Sequence, residues 1–172
     1  IAIQNGGGIR ASFDTGEVTM GEILTILPFQ NTLSTFRVSG ATLLAALENG
    51  VIQVEEGAGR FPQVTGLTYA FDPAGTVGKR VSDVRVLHSG RAVPLDPVKL
   101  YSVVSTNFLS NGGDGYKMFK SAQDVYDLDP IWPISLQNIW RLTLRTSRTS
   151  RGGLLKNRAV FMDVGQSKLY VW

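Results

Sequence analysis

The stretch NGGGIR at residues 5–10 follows a short apolar run, and a second glycine-rich stretch, NFLSNGGDGY at residues 107–116, follows another. Glycine allows positive φ and lets the backbone approach a ligand where a Cβ would collide. The flanking Asn, Asp, Arg and Phe side chains can contact a base, a sugar and a phosphate. The two loops therefore predict a nucleotide site at the ends of two strands.

Short helices and strands alternate along the first three quarters of the chain, which is typical of an α/β or α+β domain. Thr19 and Glu22 fit a capping box at the start of a short helix that Pro28 ends, so Phe29 lies just beyond a helix. We predict a second helix over residues 43–51 and strands at residues 1–4, 32–38, 67–71, 81–87 and 101–105. The predicted fold is α/β (α+β), with mixed sheets flanked by helices.

The composition indicates one domain with a sizeable core, since 43% of the 172 residues are hydrophobic. Ile1 stands inside a strand pattern where a complete chain would have Met, so we expect a fragment of a longer protein. The sequence contains no Cys, which excludes disulfides and thiolate metal sites. No apolar run has the length of a membrane span, and we expect none.

The positive charge is concentrated at the end of the chain. Residues 1–127 contain 10 Lys or Arg and 12 Asp or Glu, whereas residues 128–172 contain 7 and 2. A basic tail on a slightly acidic body is a weak signal for nucleic acid, and no nucleic-acid-binding motif accompanies it. We therefore expect no DNA or RNA partner.

The two glycine-rich loops and Leu27-Pro28-Phe29 together resemble the C-terminal, substrate-binding domain of the 5'-nucleotidase family, from Ile1 to about Tyr126. That family includes UDP-sugar hydrolases and cyclic-nucleotide phosphodiesterase/3'-nucleotidases. The resemblance implies a periplasmic or extracellular hydrolase of nucleotide phosphate esters, acting in nucleotide catabolism. It also implies that a nucleotide or nucleoside is the substrate.

Arg10 and Asn5 are the first two candidate binding residues. A planar guanidinium can hold two phosphate oxygens at once, which suits a terminal phosphoryl group. The resemblance implies that Arg10 contacts the substrate phosphate and that Asn5 contacts the base. The alternatives are a surface Arg after a tight turn and an Asn that serves the turn alone.

Phe29 and Phe108 are the candidate base clamp, because both lie at loop junctions and both match the family's stacking aromatics. Stacking of a base on an aromatic ring contributes roughly 1–3 kcal/mol and tolerates any base. By the same resemblance Asp114 accepts hydrogen bonds from the ribose hydroxyls. Gly8 and Asn107 lie close enough in sequence to help line the pocket. The alternatives are core positions for the Phe residues and a plain Asp-Gly turn.

The resemblance places hydrolysis in a separate N-terminal metallophosphoesterase domain, where a pair of divalent metal ions activates water. The single histidine, His88, falls at a strand end, where we expect an exposed turn position. We therefore expect this chain to bind a nucleotide without hydrolysing it and to hold no cofactor of its own. The alternatives are a non-catalytic nucleotide or anion-binding module and a relative acting on a non-nucleotide substrate in sulfur oxidation, which would lack the paired Phe residues.

After Tyr126 the resemblance stops, where family members would continue with a Gly-Pro turn, an amphipathic helix and a strand containing Gly-Arg-Ile. Codons for residues 128–133, read one nucleotide earlier, permit Gly-Pro-Asp-Leu-Ala. The same frame, continued to Gly153, permits Asp-Ile-Val-Ala-Glu-Tyr-Leu-Ala-Ala-Asn-Ser-Pro and then Leu-Glu-Gly-Arg. Our hypothesis is therefore a substrate-binding domain over residues 1–127 and a poorly ordered, frameshifted basic tail over residues 128–172. The alternative is a genuine tail that recruits anionic partners.

Resequencing the source locus from well upstream of the Ile1 codon tests this hypothesis. We expect a one-nucleotide error near Leu128 and an upstream metallophosphoesterase reading frame. An unchanged reading frame, with no catalytic domain attached, would instead favour a nucleotide-binding module with a real basic tail.

Overall fold

A computed structural model describes residues 1–12 and 19–128, so the tail predicted over residues 128–172 lies outside the described residues except for Leu128. The helices are α1 Met20–Ile26, α2 Gly40–Val51 and α3 Asn107–Ser110. The strands are β1 Ala2–Asn5, β2 Leu33–Ser39, β3 Pro62–Thr65, β4 Leu67–Phe71, β5 Val81–His88, β6 Arg91–Pro94, β7 Leu100–Thr106 and β8 Gln123–Leu128. Short 3-10 turns cover Gly6–Gly8, Val54–Glu56, Gly113–Gly115 and Lys117–Ser121.

The predicted elements are confirmed, with ends that shift by up to three residues, and the α/β class is confirmed with them. The capping box of α1 is also confirmed: the Thr19 hydroxyl accepts from the Glu22 amide at 3.3 Å, and the Glu22 carboxylate accepts from the Thr19 amide at 2.7 Å. That second bond lowers the pKa of Glu22. The sequence reading missed β3, β6 and β8.

Two sheets form the framework. The larger has the order β3-β1-β7-β2-β8, and the smaller is the antiparallel order β4-β5-β6. In the larger sheet β1 runs parallel to β7, while β3 is antiparallel to β1 and β2 is antiparallel to β7. The carboxyl ends of β1 and β7 therefore meet the amino ends of β2 and β3 at one edge of the sheet.

Helix α2 joins the two sheets, because its apolar residues recur at helical spacing and lie on two adjoining faces. Leu43 and Ala46 pack into a core with Ile3, Phe36 and Val103 from the larger sheet. Leu47 and Val51 instead pack against Leu67 and Tyr69 of the smaller sheet. Strand β1 was predicted to be buried, but only Ile3 and Asn5 on one of its faces are buried.

Arg80 holds the smaller sheet to the end of α2. Its guanidinium is nearly buried and donates to the Val51 carbonyl at 2.9 Å and the Gly75 carbonyl at 3.0 Å. It also pairs with the Glu55 carboxylate at 2.7 Å, which lowers the pKa of Glu55. The Arg80 backbone amide donates to Glu48 of α2. The bond to Val51 satisfies a carbonyl that the end of the helix leaves open.

Replacing a residue at the junction of the sheets tests this packing. Leu47 is fully buried, so Leu47→Ala is expected to lower the free energy of unfolding by about 2–5 kcal/mol. Leu44 on the same helix is exposed, and Leu44→Ala is expected to change the free energy of unfolding by no more than about 0.5 kcal/mol. Guanidinium denaturation of both variants makes the comparison, and equal losses would contradict the assignment.

Candidate functional site

A cavity of about 300 Å³ opens at the sheet edge where β1 and β7 end. Its volume lies at the lower end of the range for small-molecule sites. Loops from four separate parts of the chain contribute the lining residues, which are Asn5, Gly7, Gly8, Arg10, Phe29, Asn31, Gly59, Phe108 and Asp114. The structure thus brings together all the candidate residues from the sequence except Asn107.

Phe29 and Phe108 present half-exposed rings to this cavity, with 47% and 41% of each residue accessible to solvent. Phe29 follows the end of α1, and Phe108 lies in the first turn of α3. The Phe108 ring rests directly on Gly113, where a Cβ would lie 2.5 Å from the ring carbons. The glycine therefore lets the ring lie against the backbone, and the cavity gains two aromatic surfaces.

Asn5 and Asp114 form one polar unit in the cavity. The buried Asn5 side chain donates from Nδ2 to the Asp114 carboxylate at 2.6 Å, and its Oδ1 accepts from the Gln4 side chain at 3.2 Å. Among the described residues, Asp114 pairs with no Lys or Arg. Its carboxylate can therefore still accept hydrogen bonds from a ligand. The Asn5 side-chain amide, in turn, already donates to Asp114.

Arg10 contributes a guanidinium to the same cavity. Its Nη1 donates to the Gly7 carbonyl at 3.2 Å, and the residue is exposed. Within the described residues this contact uses one donor of the fork, so the other guanidinium N–H groups offer donors to an anion. The Arg10 backbone is fixed separately, since its amide donates to the Ile26 carbonyl at 2.8 Å.

Asn107 does not line the cavity, contrary to expectation. Its side-chain Oδ1 accepts from the Thr32 backbone amide at 3.1 Å, and the Asn107 backbone amide donates to the Thr32 carbonyl at 3.0 Å. Thr32 ends the segment that carries Phe29, and Asn107 precedes Phe108. The side chain is therefore turned away by its role in joining the two segments that carry the aromatic rings.

Sequence reasoning missed Asn31 and Gly59 as lining residues. Gly59 lies in the loop before β3, and its carbonyl accepts from the Gly7 amide at 2.8 Å. The first glycine loop was expected to use positive φ, but Gly6–Gly8 forms a 3-10 turn without it. Because Gly7 has no side chain, its backbone can lie directly against the backbone of Gly59. The nearness of Asn31 to Phe29 was the one available sequence signal.

His88 lies at the end of β5 and is exposed, away from the cavity lining. Within residues 1–12 and 19–128, no three His, Cys, Asp or Glu side chains are grouped so as to hold a metal ion. No helix in the same part of the chain has the length and apolar character of a membrane span.

Comparison with known proteins identifies the family. A family model described as the 5'-nucleotidase C-terminal domain matches residues 1–121. The chain belongs to the 5'-nucleotidase C-terminal domain family. The resemblance stated from the sequence is thereby confirmed, and the two-sheet α/β fold agrees with it.

Relatives of this family domain are similar over most of the chain. The Trifunctional nucleotide phosphoesterase protein YfkN of Bacillus subtilis is 43% identical over 74% of the chain, and human 5'-nucleotidase is 38% identical over 70%. The crystal structure of a 5'-nucleotidase precursor from Thermus thermophilus is 51% identical over 74% of the chain, with a TM-score of 0.70. The chain covers 9%, 22% and 25% of these three proteins respectively.

Replacement of Asn107 tests the link between the segment that carries Phe29 and the segment that carries Phe108. Asn107→Ala removes the acceptor of the Thr32 amide and is expected to lower the free energy of unfolding by about 1–2 kcal/mol. Gln30→Ala is the control, because Gln30 is exposed in the same segment. Chemical denaturation measures both variants. An Asn107→Ala variant as stable as the control would contradict the linking role.

Proposed function

We propose that residues 1–127 form the nucleotide-binding and specificity domain of a 5'-nucleotidase-like phosphohydrolase. The observation that carries the proposal is the presence of two half-exposed Phe rings in one cavity with Asp114 and Arg10. Aromatic surface, a carboxylate acceptor and a guanidinium are the groups that a base, a ribose and a phosphate require. The names of the relatives, which include 5'-nucleotidases, support the same assignment.

In this proposal Phe29 and Phe108 stack on the two faces of a base. Stacking tolerates every base, so selection among bases requires a polar group near the rings. Asn31 supplies one, because its side chain carries an amide and the residue lines the cavity together with both rings. We assign the recognition of a base edge to Asn31 as well as to Asn5, for which the family resemblance implies it.

Arg10 and Asp114 hold the phosphate and the sugar. Arg10 is exposed at the rim, where a guanidinium can pair with phosphate oxygens in two parallel hydrogen bonds. Asp114 accepts from the ribose hydroxyls, and the Asn5 side-chain amide donates to its carboxylate. Gly8 borders the cavity with a bare backbone. Asn107 acts indirectly, by holding Phe29 and Phe108 in their relative positions.

Hydrolysis in the proposal belongs to the full-length protein. A separate N-terminal metallophosphoesterase domain would hold a pair of divalent metal ions, and these would supply the activation of water. The residues of this chain bind the nucleotide and orient its phosphate. We place the full-length protein in the periplasm or outside the cell, as the family resemblance implies.

The proposed domain boundary falls near residue 127. The family model ends at residue 121, and the described chain ends in β8, whose residues are all exposed. An amphipathic helix directly after Leu128, as the alternative reading frame permits, would cover apolar side chains such as Tyr126, which is 65% exposed. We propose that residues 128–172 are the product of a frameshift and that their basic charge has no binding role.

Substitution of the aromatic rings tests the proposed function in the intact protein. Phe29→Ala and Phe108→Ala are each expected to weaken nucleoside binding by about 5- to 150-fold, the equivalent of one lost stacking contact. Inorganic phosphate binding is expected to remain nearly unchanged, because phosphate meets neither ring. Isothermal titration with adenosine and with phosphate measures both constants.

The matched controls separate binding from folding. Leu44→Ala removes a similarly exposed apolar side chain outside the cavity and is expected to alter neither constant. Arg10→Ala should produce the reverse pattern, with weaker phosphate binding and unchanged adenosine binding. Equal loss of both ligands in the Phe variants would reject the base clamp, and undiminished binding of both would reject the site.

A further inference from the structure

The backbone at Asp114 lies in the left-handed region, with φ 49° and ψ 29°. Residues with a Cβ adopt this region rarely, although Asp does so several-fold more often than most. Such a conformation persists when the surrounding contacts determine it. Asp114 stands between Gly113 and Gly115 in a short 3-10 turn, which by itself supplies few contacts. The turn therefore requires support from other parts of the chain.

Two asparagine side chains supply that support from different elements. Asn5, at the end of β1, donates to the Asp114 carboxylate at 2.6 Å. Asn49, in the last turn of α2, donates from Nδ2 to the Asp114 backbone carbonyl at 3.1 Å. The first contact fixes the side chain, and the second fixes the peptide that carries it. Asn49 is not among the residues that line the cavity.

Asn49 is itself fixed by a closed set of contacts. Its Oδ1 accepts from Arg60 Nη1 at 3.4 Å, and the Arg60 carbonyl accepts from the Tyr116 hydroxyl at 2.7 Å. Tyr116 is fully buried and stacks on Phe119 at 5.5 Å between ring centroids. Burial raises the pKa of Tyr116, so its hydroxyl remains a donor. The chain returns from Tyr116 through Gly115 to Asp114.

Gly115 brings Asn49 into direct contact with the turn. Its φ is 81°, and a Cβ at this position would lie 2.7 Å from Asn49 Oδ1. The Asn49 amide therefore lies flush against the backbone that follows Asp114. The Asn49 side-chain amide lies between the Arg60 guanidinium and the Asp114 carbonyl. It therefore sets the orientation of the peptide group that joins Asp114 to Gly115.

We propose that Asn49, held by Arg60, is a positioning residue that sets the Asp114 carboxylate for the ribose hydroxyls. The inference rests on the proposed function, because it takes Asp114 as the acceptor of those hydroxyls. Asn49 acts through Asp114 and touches no ligand. Its effect is therefore confined to the sugar hydroxyls, while a residue needed only for folding would affect base stacking equally.

The ratio of the affinities for adenosine and 2',3'-dideoxyadenosine tests the inference in the intact protein. Both probes keep the base, and the second lacks the hydroxyls that Asp114 would bind. Asn49→Asp is nearly isosteric but turns an acceptor toward the Asp114 carbonyl. We expect it to weaken adenosine binding by about 10-fold, as for a misplaced hydrogen bond to a charged group, and dideoxyadenosine binding by less than about twofold.

Two further variants complete the design. Gln53→Glu is the matched control, because it makes the same amide-to-acid change just beyond α2, where the side chain contacts Glu56. It is expected to leave the ratio unchanged. Arg60→Gln removes the guanidinium that donates to Asn49 Oδ1, so it is also expected to lower the ratio. This second variant keeps the test decisive if Asn49→Asp fails to fold.

The outcomes separate the two levels of the proposal. Asp114→Ala should bring the ratio close to one; a ratio that it leaves unchanged overturns the ribose role and the positioning together. A ratio lowered by Asp114→Ala but left unchanged by both Asn49→Asp and Arg60→Gln overturns the positioning alone. Equal weakening of both probes in these two variants also overturns it, since that pattern belongs to a structural residue.

Discussion

The parallel pairing of β1 with β7 is the constraint on which the site depends. Ala2 lies opposite Val104, the Val104 amide donates to the Ile1 carbonyl at 2.9 Å, and the buried Ser105 hydroxyl donates to the Ile3 carbonyl at 2.8 Å. Parallel strands end at the same edge, so both glycine-rich loops emerge side by side although a hundred residues separate them. A slip of one residue would exchange the two faces of β1 and expose Ile3.

The antiparallel neighbours complete the site for the same reason. Strands β2 and β3 run opposite to β7 and β1, so the segments that precede them arrive at the edge where β1 and β7 end. One of those segments carries Phe29, and the other carries Gly59. Helix α2 then returns from the far edge, which brings Asn49 to Asp114. The sheet order alone thus accounts for a cavity lined from four parts of the chain.

The sequence predicted those parts of the fold and of the candidate site whose signals are local. The capping box at Thr19 and the apolar spacing of α2 depend on residues within a few positions of one another. The missed strands β3, β6 and β8 are all edge strands, in which burial on one face is weak or absent. Pro62 and Pro94 further weaken the strand pattern, although edge strands tolerate proline.

The sequence could not distinguish residues that line the cavity from residues that support it. Asn5 and Asn107 both flank glycine-rich loops, yet Asn5 donates to the Asp114 carboxylate in the cavity and Asn107 accepts from the Thr32 amide of a neighbouring segment. Which partner an amide finds depends on pairings between distant strands, and a local motif contains no information on those pairings. For the same reason nothing near Asn49 in the sequence indicated a contact with a residue 65 positions away.

The aromatic residues of the second loop show how one segment builds both core and site. Tyr116 and Phe119 lie after the turn at Gly113–Gly115, stack on each other and are buried. Phe108 lies before the turn and keeps 41% of its surface exposed. Full burial of such a ring would contribute roughly 1.5–3 kcal/mol, so its exposure forgoes part of that stabilisation. Because Gly113 supports one side of the ring, the ring's orientation is set in advance, and the ring loses little further freedom when a planar ligand covers it.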